Sequence, residues 1–312
     1  MHQRNIFKIR PPNHEELAKK YPQLRKKCFV GANGKICIDF SCTEAVRSFT
    51  EILLSEYLEL NVSIPKGVLV PRVPQRLNYL LLVEDLVNLN GLREEEIVGI
   101  DIGTGPLCIF SLLGASLNNW KFVSTDICNE SLQIAKENLK NNSLESLVCL
   151  INIEDGSFFK LTIFSFSVCN PPFFDINEAE KKFASIGDVS LHNLPSRSRG
   201  QPRSGTTAIA EEIAYKGGEL NFICQMIEES RQHPLKTRLF FKNIFQTLFF
   251  ILRIYTTMIG KRSTLKKLKF YMEEKKILNY KIFTLTQGRT FRWVLAWTFF
   301  ENINLDLKEN KF

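Results

Sequence analysis

No Cys-x-x-Cys pair occurs in this chain, although it carries eight cysteines (28, 37, 42, 108, 128, 149, 169 and 224), and its four histidines are scattered. That spacing gives no reason to expect a zinc or other metal site. No secretory leader is evident, so reduced thiols in a nuclear or cytosolic compartment are the expectation. Long apolar runs are missing too. The most apolar window, Leu239 to Leu252, contains Lys242, Asn243 and Gln246 and falls short of the ~20 residues needed to cross a bilayer. The third glycine of Gly-x-Gly-x-x-Gly is absent, because position 108 is Cys, which argues against a nicotinamide dinucleotide. There is no internal repeat.

What is present fits one elaborated globular domain, or one domain with a small extension. The 312 residues are 44% hydrophobic, enough to bury a large core. The net charge of +8 is uneven: residues 1 to 27 hold eight Lys or Arg against two Glu, and residues 231 to 281 hold thirteen against two, so the remainder is acidic. Such asymmetry suggests an electropositive face for a polyanion. Solvated helix faces are the competing explanation for cations such as Lys266, Lys267, Lys269, Lys275 and Lys276.

Ile97 to Asp101 is a short apolar run ending in a carboxylate, followed by Ile102-Gly103-Thr104-Gly105 and the apolar stretch Leu107 to Leu117. This reads as strand, glycine turn and helix, with Gly103 and Gly105 letting backbone approach a ligand. Trp120 to Thr125 reads as the next strand, with Asp126 at its end placed to accept ribose hydroxyls. The competing role for Asp126 is an N-cap of the helix 129 to 141. Asp101-x-Gly-x-Gly resembles the first motif of S-adenosylmethionine-dependent methyltransferases.

Ile163 to Cys169 reads as a buried strand that ends in Asn170-Pro171-Pro172-Phe173-Phe174. Proline has no N–H and a fixed φ, so this segment is a stiff wall of acceptors. Asn170 Oδ1 and the Pro171 carbonyl can take both hydrogens of one exocyclic amine, and an aromatic ring beside them can stack on a flipped base. Holding the amine this way favours a tetrahedral nitrogen whose lone pair points at a methyl sulfonium, so no general base is needed. The competing reading is a turn that merely ends a strand.

Along the chain, Asn33-Gly34 between Lys27 to Val30 and Ile36 to Phe40 predicts a hairpin. Helices are predicted over Thr43 to Leu60, opened by a capping Thr, and over Val73 to Leu89. The proline-rich link Pro65 to Pro74 marks a seam between an N-terminal basic module, 1–72, and a main domain, 73–312. From Ile97 onward, strands near 97–101, 120–125 and 147–153 alternate with helices 106–117 and 129–141. The fold class predicted is therefore α/β, a parallel sheet with helices on both faces. Residues 175 to 215, with Arg197, Arg199 and Arg203 among Ser, Gly and Pro, read as a mobile loop suited to phosphates. Tyr280 to Leu285 and Phe291 to Phe300 predict an antiparallel hairpin around Gln287-Gly288-Arg289-Thr290.

Several longer segments resemble the methyltransferase-like 16 family. They are Met1-His-x-Arg4, Pro74-Gln-Arg-Leu-Asn-Tyr79 with Val83-Glu-Asp85, Gly99 to Gly105, Asn170 to Phe174, Gly217-Gly-Glu-Leu220 and Gln287-Gly-Arg-Thr-x-Arg-Trp293 with Ala296-Trp297. The resemblance spans nearly the whole chain. It implies a Rossmann-like class I S-adenosylmethionine-dependent fold and N6-adenosine methylation of structured RNA, typically U6 small nuclear RNA and hairpins in S-adenosylmethionine synthetase messages. Bacterial relatives modify an adenine of large-subunit ribosomal RNA. The resemblance puts Arg76, Asp101, Gly103, Gly105, Asp126, Ser157 and Asn170 on the cofactor, and implies a nuclear location with a cytoplasmic one also open. Arg4, Arg10, the loop at 196 to 203, Lys261 with Arg262, and Arg289 with Arg292 would touch RNA. Asp126 and Ser157 stand where the family often has Glu and Thr. The main departure is the apolar insertion at 239–252, which a surface excursion would accommodate. Two other functions use the same motifs: a cofactor-sensing RNA-binding protein without turnover, and a methyltransferase acting on a protein glutamine amide.

Overall fold

The computed structural model describes residues 1–92, 97–153, 162–176, 214–232, 237–238, 249–288 and 290–307. The amino-terminal part holds three short helices, α1 (Ile6–Ile9), α2 (His14–Lys20) and α3 (Pro22–Arg25), then the strands β1 (Cys28–Val30) and β2 (Ile36–Ile38). β1 and β2 pair antiparallel around Gly34, whose φ of 74° suits the expected tight turn. Two long helices follow, α4 (Thr43–Leu58) and α5 (Val73–Leu89). Thr43 is the first helical residue of α4 and Cys42 is its N-cap, so the capping role expected of a Thr is not filled by a side chain.

The remaining elements are β3 (Val98–Ile102), α6 (Ile109–Asn118), β4 (Lys121–Asp126), α7 (Asn129–Asn141), β5 (Val148–Asn152), β6 (Thr162–Cys169), β7 (Phe174–Asp175), β8 (Ala214–Tyr215), α8 (Gly218–Gln232), β9 (Thr237–Arg238), β10 (Phe249–Ile259), α9 (Arg262–Glu274), β11 (Tyr280–Gln287) and β12 (Thr290–Trp297). The central sheet runs β11-β12-β10-β6-β3-β4-β5, with β9 beside β10. β10, β6, β3, β4 and β5 are parallel, and β12 and β11 close one edge antiparallel. Parallel strands covered on both faces need apolar side chains throughout, and β6 and β10 supply them.

Two apolar clusters flank the sheet. One joins Phe110, Leu112, Phe122 and Phe166 to α4 and α5, and includes Phe7, Leu17 and Leu24. The other packs Ile223 and Ile227 of α8 and Leu268 and Met272 of α9 onto Leu252, Tyr255, Leu295 and Trp297. The seam expected at 72/73 coincides with the start of α5, yet residues on both sides of it share the first cluster. Of the segment 239–252, residues 249–252 belong to β10, with 250–252 paired in parallel register with Thr162 to Phe164. That end of the segment is sheet rather than excursion, which accounts for its apolar composition; residues 239–248 lie outside the described residues. Phe174 and Asp175 pair with Ala214 and Tyr215 across the ends of the segment read as a loop. No helix among the described residues is long and apolar enough to cross a membrane, and no group of three or more His, Cys, Asp or Glu there could hold a metal.

Candidate active site

β6 lies between β3 and β10, so the segment that follows Cys169 emerges beside the glycine turn after β3. The carboxyl ends of parallel strands are where open α/β sheets bind ligands. Gly103 and Gly105 have φ of 67° and 65°, a conformation costly for any residue with a Cβ, and a Cβ built at either would meet nothing within 4 Å. The turn is therefore bent by its glycines and open on its outer side. The Thr104 N–H donates to the Thr125 carbonyl at 2.9 Å, tying the turn to β4.

Asp101 sits beneath the turn, 1% exposed. Its Oδ2 accepts from Thr104 Oγ1 at 2.6 Å and from Ser111 Oγ at 3.3 Å, while its buried Oδ1 has no hydrogen-bond partner. Burial pushes this carboxyl up to about 7, against the opposing pull of the Thr104 and Ser111 hydroxyls. Asp126 accepts the Gly105 N–H at Oδ2 (2.8 Å) and the Cys128 N–H at Oδ1 (3.0 Å). It bridges the glycine turn to α7 and is not that helix's N-cap, which is Cys128. Each carboxylate oxygen keeps a lone pair for a hydroxyl donor.

Arg76 comes from the first turns of α5 and is buried. Its Nη1 donates to Asn170 Oδ1 at 2.7 Å and lies 2.8 Å from Met258 Sδ, and the guanidinium stands 5.6 Å from the Phe110 ring centroid. Burial, with Arg292 adding repulsion, lowers its pKa to about 10. Among the described residues it has no salt bridge to a carboxylate. A buried guanidinium so placed calls for an anionic partner. An orphaned carboxylate oxygen, a buried arginine and an open glycine turn in one crevice fit the zwitterionic end of an amino-acid-bearing nucleoside such as S-adenosylmethionine.

Pro171 is buried, and Pro172, Phe173 and Phe174 are half-buried. Phe173 rests on Gly260: a Cβ there would lie 2.3 Å from Phe173 Cε1. The Lys261 Nζ stands 5.5 Å from the Phe174 ring centroid. Beneath the segment, the fully buried Tyr79 hydroxyl is 2.6 Å from Thr256 Oγ1 and accepts the Cys169 N–H at 3.3 Å. Thr256 in turn bonds Ser167, locking β6 to β10 just before Asn170. Tyr79→Phe leaves those groups short of a partner and is expected to lower unfolding stability by about 1–2 kcal/mol in denaturant titrations.

Sequence reasoning assigned no role to Glu219, within Gly217-Gly-Glu-Leu220. It is 2% exposed, and its carboxylate accepts the Gly260 N–H and, at 3.2 Å, the Lys261 N–H. Burial raises its pKa, opposed by the Thr264 hydroxyl and those two amides. Glu219 thus caps the start of α9 from another helix and holds the backbone on which Phe173 leans. Its test is Glu219→Gln, which replaces one acceptor by an N–H donor facing another donor. We expect about a tenfold loss in kcat with cofactor affinity unchanged; equal kcat for the two proteins would remove Glu219 from this role.

The other expected residues are less concentrated. Arg4 pairs with Glu84 at 2.8 Å and Asp85 at 2.7 Å, joining the buried His2, whose Nε2 is 3.0 Å from Asp85. Arg10 is exposed but stacks 4.3 Å above the Tyr57 ring and donates to the Glu56 carbonyl. Arg292 is half-buried, with its pKa lowered by desolvation, near the cleft formed by Gln75, Asn78, Met258, Thr286 and Gln287. Ser157, Arg197, Arg199, Arg203 and Arg289 lie outside the described residues.

The parallel sheet, glycine turn and strand-terminal Asn-Pro-Pro-Phe define the Rossmann-like fold of the class I S-adenosylmethionine-dependent methyltransferases. A family profile described as RNA methyltransferase matches residues 1–301, and the chain belongs to that family. It is 38% identical over 322 residues to the U6 small nuclear RNA (adenine-(43)-N(6))-methyltransferase of Caenorhabditis elegans, covering 98% of this chain and 63% of that protein. To the human RNA N(6)-adenosine-methyltransferase METTL16 it is 36% identical over 322 residues, all of this chain and 52% of the other. The chain therefore spans between half and two thirds of the length of these relatives. The crystal structure of the human METTL16 catalytic domain with MAT2A 3′UTR hairpin 1 superposes with a TM-score of 0.80 at 35% identity, covering 97% of both chains. The N-terminal domain of human METTL16 in complex with SAH gives 0.71 at 31% identity, covering 96% of this chain and 99% of that one.

Proposed function

We propose that this protein transfers a methyl group from S-adenosylmethionine to the exocyclic N6 of an adenosine in structured RNA. The observation that carries the reading is Asn170 Oδ1 held by Arg76 beside the carbonyl of a buried Pro171, with Phe173 alongside. Arg76 fixes the Asn170 amide by donating to its oxygen, and an amide oxygen has a second lone pair for a substrate N–H. The Pro171 carbonyl takes the other N–H. Phe173, backed by Gly260, is the platform on which the extruded base stacks. Bound S-adenosylmethionine supplies an electrophilic methyl carbon. Asp101 and Arg76 would hold its ammonium and carboxylate, and Asp126 its ribose hydroxyls. With both N–H bonds pinned, the amine lone pair is freed from the ring for attack, and the extra proton leaves afterwards to solvent.

The relatives named for U6 small nuclear RNA, and the METTL16 structures solved with MAT2A 3′UTR hairpins, support those two RNA classes as substrates. A nuclear place of action goes with that reading as a proposal. The test is incubation with labelled cofactor and hairpin RNA, followed by mass spectrometry of the nucleosides. Label in N6-methyladenosine is the expected result; label absent from RNA but present on protein glutamine would overturn the assignment.

A further inference from the structure

The thirteen residues of α9 carry their charges against the helix's own dipole. Its N-terminal end has Lys261 as N-cap and Arg262 at the first position, with no acidic residue in the first turn; its last turn has Glu273 and Glu274 and no basic residue. Cations at the amino end and carboxylates at the carboxyl end each cost a helix about 0.3–1 kcal/mol. The Glu219 carboxylate offsets part of this at the amino end from α8, but among the described residues no ion pair joins it to Arg262, Lys266 or Lys269. Arg262, Lys266, Lys267 and Lys269 are all exposed, and among the described residues none of them has an ion pair.

Several cations elsewhere are occupied. Arg4 pairs with Glu84 and Asp85, Lys19 with Glu15, Lys20 with Glu56, and Lys275, just past α9, with Glu228. Three of the eight amino-terminal basic residues thus pair with carboxylates, whereas among the described residues Arg262, Lys266 and Lys269 do not. Arg262, Lys266 and Lys269 follow a spacing of four and three, which aligns them on one side of the helix. They run about 10 Å along the axis. The row starts next to Lys261, above the Phe174 ring, and ends before Glu273.

We propose that Arg262, Lys266 and Lys269 form a rail for the sugar-phosphate backbone of the RNA strand flanking the target adenosine, leading it outward from Phe174 along α9. The inference rests on the reading of the crevice as an RNA-methylating site and adds which surface carries the strand. Released counterions repay the cost of placing Arg262 in the first turn against the dipole. The acidic end of α9 repels the backbone and terminates the rail after about two turns of helix.

The test uses the full chain and the double variant Lys266→Ala, Lys269→Ala, which replaces exposed helical residues by the best helix former. RNA binding is followed by fluorescence anisotropy with a labelled hairpin from about 50 to 200 mM salt. The plot of log K against log salt should become shallower by about 1.4–1.8, at about 0.7–0.9 per lost phosphate contact. KM for RNA should rise while kcat at saturating RNA stays within about twofold, since neither side chain reaches the reacting atoms. Lys276→Asn, the loss of one charge beyond the acidic end at a position with φ of 56° that Asn tolerates, should leave the slope unchanged. An unchanged slope in the double variant, or a change of about 0.7–0.9 in Lys276→Asn, overturns the rail. If the wild type methylates RNA but the slope is unchanged, the reaction stands and the rail falls. If the slope falls but the wild type methylates no RNA, the rail stands and the assigned reaction falls.

Discussion

Asn170→Ala is expected to slow the proposed methyl transfer by about 10²–10³-fold or more in single turnover, the range found when one preorganised hydrogen-bonding group is deleted from a reacting centre. Only one of the two oxygens facing the amine is lost, but the loss removes the tetrahedral bias on the nitrogen and lets the base turn. Arg76 loses its amide partner in the variant and retains the Phe110 face and Met258. Cofactor affinity should therefore change by less than about threefold, under 1 kcal/mol. The pair of measurements is rapid-quench transfer of labelled methyl to a hairpin and calorimetric titration with the demethylated cofactor. Unimpaired transfer would remove Asn170 from the chemistry.

The second large effect concerns Asp101 and pH. Its carboxyl titrates at about 7 in the folded chain against an ordinary 3.8, because burial disfavours the charge. The unfolded chain gives up that proton near pH 4 while the folded one keeps it until about 7, so this group's contribution to stability declines as pH rises through that window. An ammonium placed against the unpartnered Oδ1 stabilises the ionised form and reverses the penalty. Binding should thus expel a proton below pH 7, and cofactor affinity should rise by about tenfold per pH unit as pH climbs towards 7, then level off. Asp101→Asn should flatten that profile and weaken binding at pH 8 by about tenfold or more, about 1.4 kcal/mol. Calorimetry between pH 5.5 and 8.5 in buffers of different ionisation enthalpy would register both; a flat profile in the unmodified chain would refute the pairing.

Local pattern revealed much of this site because its best-marked parts are local. Val73–Leu89 and Asn129–Asn141 are helices with the predicted ends, and the strands around Asp101 and Asp126 fall within one or two residues of expectation. Asp101, Gly103 and Gly105 share a single turn, and Asp126 joins them through one hydrogen bond across 21 positions. What escaped was held by distant partners. Glu219 meets Gly260 across 41 residues, and Tyr79 meets Cys169 across 90. No periodicity within either segment announces such contacts. Charge was misleading for a related reason: a count of lysines and arginines does not show which of them, like Arg4 with Asp85, have already found a carboxylate on a neighbouring helix.

Gly260 shows how such a constraint can act through shape. Beyond the N–H it gives to Glu219 it takes no part in bond making, yet a methyl group at its α-carbon would meet the ring of Phe173. A designer wishing to admit a bulkier acceptor base would have to redraw residues 173 and 260 together.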